Sequence, residues 1–225
     1  MQEAEKSYRV EMALGTATNT DDVEGEVIAS HAHRPQTHEI EAAFAAFTGT
    51  IEQVPPQFSA IRVDGQRAYK AARAGQTVAL AARQVRIDAI RLIERPNNDL
   101  VTLEVDCGKG TYIRSLVRDL ARHLGTQGHV ANLRRTRVGP FDEKNALGLE
   151  KLTHLGHSAP DLAALDACLL PLMTALDDIP ALAIDDDAAS RIKQGQAISP
   201  QSPIEGTVLL TCEGQPVALG EVKGE

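Results

Sequence analysis

The chain has 225 residues, of which 43% are apolar and 24% charged, a composition typical of a soluble globular protein. Its three cysteines lie far apart and form no Cys-x-x-Cys pair, which argues against a disulfide framework or a cysteine zinc site and favours a reducing cytoplasm. The opening MQEAEKSYRV is too polar for a signal peptide. The most apolar region, 162–176, is interrupted by Asp166 and Pro171, so we expect no membrane association.

The net charge of −8 argues against a nucleic-acid partner, but the distribution of charge does not. Residues 57–95 contain eight basic residues against three acidic ones, and residues 109–137 contain seven against one. This concentration is what a basic face on an acidic protein would produce. Charge alone leaves a second interpretation open, in which both blocks are solvated faces of helices and strands.

The first predicted elements come from periodicity and turn residues. Alternating apolar residues from Tyr8 onwards predict a strand almost at once. Thr37 is a candidate N-cap for a helix, with Glu41 near the capping-box position. The remaining predicted helices and strands are, in chain order, helix 38–48, a basic helix 66–74, strands 83–95 and 99–107, helix 112–123, strand 129–141, helices 146–157, 160–176 and 186–193, and a hairpin around Gly214.

Helices and strands alternate irregularly in this prediction, without the βαβ period of a parallel sheet. An α+β fold with a mixed, largely antiparallel sheet flanked by helices fits this order best. The composition changes at about Asp177, where acidic residues and short strands follow. We therefore expect one domain over 1–176 and a small β-rich module over 177–225.

The turn Gly108-Lys109-Gly110-Thr111 invites comparison with a phosphate-binding loop. A P-loop requires Lys directly before Ser or Thr, and here Gly110 separates Lys109 from Thr111, so an NTPase is not expected. The histidines are not paired with carboxylates at a metal-ligand spacing, and no Gly-x-Ser-x-Gly nucleophile turn is present. We predict neither a metal site nor a hydrolase triad.

Aromatic and basic residues cluster around this turn. Tyr112 and Arg114 follow it directly, and a second basic segment contains Leu133-Arg134-Arg135. An enzyme that acts on an extruded nucleobase needs an aromatic face for the base and cations for the backbone. A structural interpretation stays open, in which Tyr8 and Tyr112 are half-buried core residues.

Four segments, taken together, resemble the tRNA pseudouridine-55 synthases of the TruB family. They are KSYRVEMALGTATNTDDVEGEV, PPQFSAIRVDGQRAYKAARAG, CGKGTYIRSLVRDLARHLG and HVANLRRTRVGPF. The C-terminal pattern resembles the family's PUA-like RNA-binding module. The resemblance implies the pseudouridine-synthase fold, isomerisation of one T-loop uridine by base flipping, and neither cofactor nor metal. It also implies a cytoplasmic monomer whose partner is the T-arm of tRNA.

The same resemblance implies the roles of individual residues. Tyr8 would stack on the target base and accept a proton, while Tyr112 borders the base and Leu133 forms an apolar wall. Arg114 would form an ion pair with the family's catalytic aspartate. The segment 54–87 would be a thumb that clamps the RNA. The basic residues expected to contact RNA are Arg67, Lys70, Arg73, Lys109, Arg118, Arg134 and Arg135.

One departure from the family pattern is visible in the sequence. The catalytic aspartate of the family lies in a Gly-x-Leu-Asp-Pro-x-Ala-Thr-Gly motif, and no Leu-Asp-Pro tripeptide occurs in these 225 residues. We therefore expect that the aspartate belongs to a segment upstream of Met1 and that Arg114 has no carboxylate partner within this chain. An alternative function is a tRNA-binding or tRNA-folding protein without catalysis. A third interpretation is an unrelated α+β protein whose charge pattern resembles that of an RNA-binding protein by coincidence.

Overall fold

A computed structural model describes residues 4–59, 61–63, 66–69, 78–158, 163–199 and 203–223. The chain divides into two compact units, Met1–Val138 and Gly139–Glu225. Within the described residues, no helix is both long enough and apolar enough to cross a membrane.

Five strands of the first unit form one antiparallel sheet. They are β1 (Lys6–Leu14), β4 (Gly49–Gln53), β7 (Arg83–Glu94), β8 (Leu100–Cys107) and β9 (Gly128–Val138). Their order across the sheet is β9-β1-β8-β7-β4, and each neighbouring pair is antiparallel. Two small antiparallel ribbons accompany the sheet. One pairs β2 (Thr16–Thr18) with β3 (Val27–Ser30), and the other pairs β5 (Arg62–Val63) with β6 (Gln66–Arg67).

One face of this sheet carries the core. Alternate residues of β1, among them Val10 and Met12, are fully buried together with Leu103 and Val105 of β8. A period of two along each strand brings these side chains to a single face. Full burial of one such side chain stabilises the folded state by about 1.5–3 kcal/mol. This burial requires a second layer of structure that covers the face.

This unit contains the helices α1 (Thr37–Ala43) and α2 (Ile113–His123), and the covering layer includes α2. Helix α2 packs against β9 and β1 through residues at helical spacing, including Leu116 and Leu120. The helix ends because Gly125 takes a left-handed conformation, at φ +69°, which favours glycine. The predicted helix 112–123 and the predicted strands 83–95 and 99–107 are confirmed to within one residue at each end.

Two predicted helices begin at a different residue than expected. The N-cap of α1 is Gln36 rather than Thr37, and the capping box closes through Glu39, whose carboxylate accepts from the Gln36 amide. The basic helix predicted over 66–74 begins two residues later than expected, because Gln66–Arg67 is strand β6 and pairs with β5, whereas Ala68 and Tyr69 are helical. Residues 70–74 lie outside the described part of the chain.

The second unit contains the remaining elements. These are β10 (Phe141–Asp142), α3 (Leu149–Ser158), α4 (Ala163–Asp166), β11 (Ala181–Ala183), α5 (Asp186–Lys193), β12 (Gly206–Cys212) and β13 (Gln215–Val222). Strand β12 pairs in parallel with β11 and antiparallel with β13, so this small sheet is mixed. Helix α4 is much shorter than the predicted helix 160–176. Both units combine helices with largely antiparallel strands, so the α+β fold class is confirmed.

The register between β1 and β9 contains a bulge that matters for the site. Tyr8 lies opposite Arg135 and Val10 lies opposite Leu133, but Ser7 lies opposite Arg137. Thr136 is therefore an extra residue in β9, which is the definition of a β-bulge. Because directly opposite residues share a face, the bulge reverses the face on which the following residues of β9 project.

Candidate active site

Arg114 lies in the first turn of α2 and binds the polar loop 20–24. Its Nη1 donates to Oδ2 of Asp22 at 2.8 Å and to the Thr20 carbonyl at 3.1 Å, while Nη2 donates to the Phe58 carbonyl at 2.9 Å. The Arg114 and Asp22 side chains are 23% and 21% exposed. The expectation that Arg114 has no carboxylate partner within this chain is therefore wrong.

The loop presents the Asp22 carboxylate to Arg114 in a fixed orientation. Oδ1 of Asp22 accepts from the Thr20 hydroxyl at 2.6 Å and from the Glu24 amide at 3.1 Å, which leaves Oδ2 toward the arginine. The Thr18 hydroxyl also donates to the Asp22 carbonyl at 2.6 Å. Charge-assisted hydrogen bonds of this kind are roughly twice as strong as neutral ones, so this carboxylate is strongly held.

The turn before α2 is built against β4 and β7. The Gly108 amide donates to the Arg86 carbonyl at 2.9 Å, and Gly110 has φ +80°, a value that favours glycine. The Tyr112 amide donates to Oε1 of Gln53 at 2.8 Å. Gln53 is only 1% exposed, so this buried amide fixes the position at which α2 begins. Lys109 is exposed on the same turn.

Tyr112 is half-buried beneath an arginine. The guanidinium carbon of Arg83 lies 4.9 Å from the centre of the Tyr112 ring, and Nη2 of Arg83 donates to the Gly110 carbonyl. A cation over an aromatic face is attracted by the ring quadrupole. In this conformation Arg83 covers one face of Tyr112, a contact that residue type and spacing do not predict.

Tyr8, Leu133 and Arg135 share the face of the sheet that carries the core. Tyr8 packs against the core cluster and is half-buried, whereas Leu133 is 42% exposed. Burial raises the pKa of the Tyr8 phenol above its usual value, and the hydrogen bond and positive charge of Arg135 oppose that shift. A phenol ring, an aliphatic side chain and a guanidinium thus lie on one face of the sheet.

Arg134 projects to the other side of the sheet from Arg135. It lies opposite Arg9, in the row between Tyr8–Arg135 and Val10–Leu133. The two adjacent arginines therefore cannot contact one ligand from the same face. The sequence Leu133-Arg134-Arg135 alone did not predict this separation.

Arg118, which is predicted to contact RNA, is bound by carboxylates within the protein. Its side chain is only 11% exposed, and Nη1 donates to Oδ2 of Asp21 at 2.9 Å. Nε and Nη2 bind the two carboxylate oxygens of Asp119 at 2.8 and 3.0 Å, and Nη2 also donates to the Val54 carbonyl at 2.9 Å. The guanidinium is therefore engaged within the protein.

Three further predicted RNA contacts lie in the segment 54–87. The backbone of Arg67 is in strand β6, and its side chain lies outside the described part of the structure. Lys70 and Arg73 lie entirely outside the described residues. Their role stays a prediction.

Sequence reasoning missed Asp21, Asp22 and Gln53. Asp21 and Asp22 lie in TNTDDVEG, within the first of the four segments that resemble the TruB family, and the resemblance assigns neither aspartate a role. Two consecutive aspartates in a polar loop, with arginines four residues apart on a helix, are a pattern that could have suggested paired ion pairs. Gln53 carried no such indication.

Solved structures share this fold. A Cbf5-Nop10-Gar1 complex matches with a TM-score of 0.73 and 24% identity, over 98% of this chain and 60% of that chain. An H/ACA RNP bound to a substrate RNA containing 2'-deoxyuridine matches with a TM-score of 0.71 and 21% identity, over 98% of this chain and 59% of that chain. The pseudouridine-synthase fold expected from the sequence is thereby confirmed.

Family models and curated relatives identify the family of the chain. "TruB family pseudouridylate synthase (N terminal domain)" matches residues 1–113, "tRNA pseudouridylate synthase B C-terminal domain" matches 114–177, and "Pseudouridine synthase II TruB, C-terminal" matches 180–225. The tRNA pseudouridine synthase B of Roseobacter denitrificans is 49% identical over 221 residues, which cover 97% of this chain and 72% of that protein. The chain belongs to the TruB family of pseudouridylate synthases.

The chain is shorter than its relatives. The tRNA pseudouridine synthase B of Caulobacter vibrioides is 50% identical over 198 residues, which cover 88% of this chain and 63% of that protein. The chain thus spans less than two thirds of the length of this relative.

Proposed function

We propose that this chain provides the RNA-binding and base-handling part of a synthase that converts uridine to pseudouridine at position 55, in the T-loop of tRNA. Membership of the TruB family supports this proposal, as do relatives that carry the name tRNA pseudouridine synthase B. The observation that carries it is the placement of Tyr8, Leu133 and Arg135 on one face of the sheet.

That face suits an extruded pyrimidine. Flipping a base out of its stack costs a few kcal/mol, and stacking on an aromatic ring returns about 1–3 kcal/mol per base. The half-buried ring of Tyr8 would offer the stacking surface, and the exposed side chain of Leu133 would offer the aliphatic wall. Tyr112 would border the base from the start of α2.

The reaction is an isomerisation, so it requires no oxidant or reductant and no external group donor. The bond from N1 of uracil to the sugar breaks, a bond from C5 forms, C5 loses its proton, and N1 gains one. Because burial raises its pKa, the Tyr8 phenol is neutral at pH 7, so it would relay the C5 proton rather than begin as a phenolate. Arg135 would offset the negative charge that develops during this relay.

Arg114 would hold a carboxylate ionised and oriented beside the sugar. Asp22 is the carboxylate it binds in this structure. We expect no cofactor and no metal ion in this chemistry.

RNA would be held by basic side chains around the site. Lys109 and Arg135 are exposed on elements that border it, and Arg67, Lys70 and Arg73 belong to the proposed thumb, 54–87. Residues 177–225 would be a PUA-like module that binds the RNA beside the catalytic domain, 1–176. We propose that the protein acts as a cytoplasmic monomer on the T-arm.

The test is mass-shift mapping of pseudouridine on a tRNA transcript. It compares the 225-residue chain with the longest reading frame that contains it, each at a concentration that saturates the RNA. Pseudouridine at position 55 is the expected product of the longer protein. Tight binding without product from either protein would support the alternative of a tRNA-binding protein without catalysis, and product at another position would overturn the T-loop assignment.

Tyr8 provides the residue-level control for this test. Tyr8→Phe keeps the stacking ring and removes the hydroxyl, so the rate at saturation should fall while affinity for a T-arm hairpin is retained. Tyr8→Leu removes the ring and should also weaken binding by about 1–3 kcal/mol. A Tyr8→Phe variant with the rate of the unmodified protein would exclude the proposed proton relay.

A further inference from the structure

Two aspartates adjacent in sequence bind two arginines that lie one helical turn apart. Asp22 binds Arg114 at 2.8 Å, and Asp21 binds Arg118 at 2.9 Å. Residues four apart on a helix lie on the same face, so the two arginines of α2 meet the loop side by side. The Asp21–Arg118 pair is the more buried of the two, with side chains 13% and 11% exposed, respectively.

The backbone of Asp21 has a conformation that is uncommon for a residue other than glycine. Its φ is +61°, in the left-handed region that only a few percent of non-glycine residues occupy. The Asp21 carbonyl accepts from the Val130 amide at 3.1 Å, and the Val23 amide donates to the Val130 carbonyl at 2.9 Å. The loop is therefore tied to β9 on one side and to α2 on the other, and Asp21 contributes to both attachments.

The two arginines also bind the first residues of the proposed thumb. Arg118 donates to the Val54 carbonyl and Arg114 to the Phe58 carbonyl, each at 2.9 Å, and the Ser115 hydroxyl donates to the same Val54 carbonyl at 2.8 Å. Three separate segments, the loop 20–24, helix α2 and residues 54–58, thus meet at two guanidinium groups.

The charges explain why a second pair is needed. Like charges at i and i+4 on a helix repel each other, so Arg114 and Arg118 are each stabilised by a carboxylate of their own. Asp21 and Asp119 bind Arg118 and leave Asp22 to Arg114. An exposed arginine that binds phosphate would need neither the burial nor these partners.

We infer that Asp21 and Arg118 are positioning residues, which lock the loop 20–24 against α2 so that Asp22 and Arg114 hold the geometry required by the reaction. This inference rests on the proposed function for its effect on rate. Its structural content, the dependence of the Asp22–Arg114 contact on Arg118, stands independently of any activity.

The test uses the longest reading frame that contains this chain and measures kcat, KM and tRNA affinity separately. Arg118→Met should lower kcat by about tenfold or more, since displacement of a catalytic group by 1 Å can cost on the order of 10²-fold, and should leave KM and Kd nearly unchanged. Asp21→Asn should have a similar effect, because asparagine tolerates the left-handed backbone but lacks the charge. The double variant should lose little more than either single variant.

Two variants provide the controls, Arg122→Met and Arg118→Lys. Arg122→Met removes a charge from the same helix at a side chain that is 62% exposed, and should leave kcat unchanged. Arg118→Lys keeps the charge and should restore part of the rate. A loss confined to Kd, with a shallower dependence on salt and no coupling to Asp21, would overturn the inference and make Arg118 an RNA contact instead.

A second measurement separates failure of this inference from failure of the proposed function. In protein labelled with 15N-arginine, the side-chain resonance of Arg114 can be assigned by its loss in Arg114→Lys. Arg118→Met should speed the exchange of the Arg114 side-chain protons with water, whether or not the protein makes pseudouridine. Unchanged exchange in a folded variant would contradict the inference even if the enzyme proves active.

Discussion

Arg114 and Asp22 form an ion pair of 2.8 Å although 92 positions separate them in the sequence. The pair joins the start of α2 to a loop that also contacts β9. One carboxylate and one guanidinium therefore connect three elements of the first unit.

Removal of either partner should separate turnover from binding. We expect Arg114→Ala and Asp22→Asn to abolish pseudouridine formation in the longest reading frame while tRNA affinity changes little. Each leaves a charged group without its partner, so the free energy of unfolding should fall by roughly 1–3 kcal/mol. Single-turnover assays and urea denaturation measure the two effects. A variant that loses binding and keeps its rate at saturation would make Arg114 a phosphate contact.

The basic residues of the proposed thumb should control the salt dependence of RNA binding. Reversal of Arg67, Lys70 and Arg73 to Glu should weaken binding to a T-arm hairpin and flatten the slope of log K against log salt by about one unit per lost phosphate contact. Reversal of the exposed Asp177 and Asp178 to Lys serves as the control and should change binding far less. A complex that is insensitive to salt would mean that the basic blocks are only solvated faces.

Asp106 should make stability depend on pH on the acidic side. Burial opposes ionisation of this carboxyl, but hydrogen bonds from Ser7 and Arg91 outweigh burial and lower the pKa of Asp106 below its usual value of 3.8. A lowered pKa in the folded state contributes stability above pH 3.8, and this contribution is lost as the pH falls through the folded value.

Urea denaturation between about pH 6 and pH 2 tests this assignment. Asp106→Asn should be less stable than the unmodified protein near pH 6, and the difference should shrink as the pH falls. Ser7→Ala removes one of the hydrogen bonds to the carboxylate, so it should move the loss of stability to higher pH. If the free energy of unfolding depends on pH in the same way for Asp106→Asn and for the unmodified protein, the assignment to Asp106 is wrong.

Cys107 should be chemically inert in the folded protein. It is 1% exposed, and burial raises the pKa of its thiol to about 11, so very little reactive thiolate exists at pH 8. Cys168 is partly exposed and should be alkylated first. Peptide mass spectrometry after a short iodoacetamide pulse measures both rates. Equal labelling in guanidinium is the control, and equal labelling in buffer would contradict the prediction.

Local periodicity predicted much of this fold because it reports which side chains can be buried together. The spacing of Ile113, Leu116 and Leu120 is sufficient to predict α2, and alternation is sufficient to predict β7 and β8. The capping of α1 was less predictable, because Gln36 and Thr37 are both polar and only the backbone geometry distinguishes them.

The site was less accessible to sequence reasoning because its contacts are long-range. The resemblance identified Arg114 as a carboxylate partner but not Asp22 as the carboxylate it binds. Arg118 has the same charge as any RNA-binding arginine in a basic block, and only its burial beside Asp21 and Asp119 distinguishes it. Proximity in space, rather than residue type, carries this information.

The extra residue in β9 has a consequence for how this protein tolerates change. On the two sides of Thr136, Arg135 faces Tyr8 and Arg137 projects to the opposite side, where its Nε donates to the Ser7 hydroxyl at 3.0 Å. Exchanging Thr136 for another residue alters one side chain. Deleting it would remove the bulge and bring Arg137 directly after Arg135, where Arg137 would still lie opposite Ser7 and Arg135 opposite Tyr8, so β9 can lose this one residue without moving either arginine to the other face.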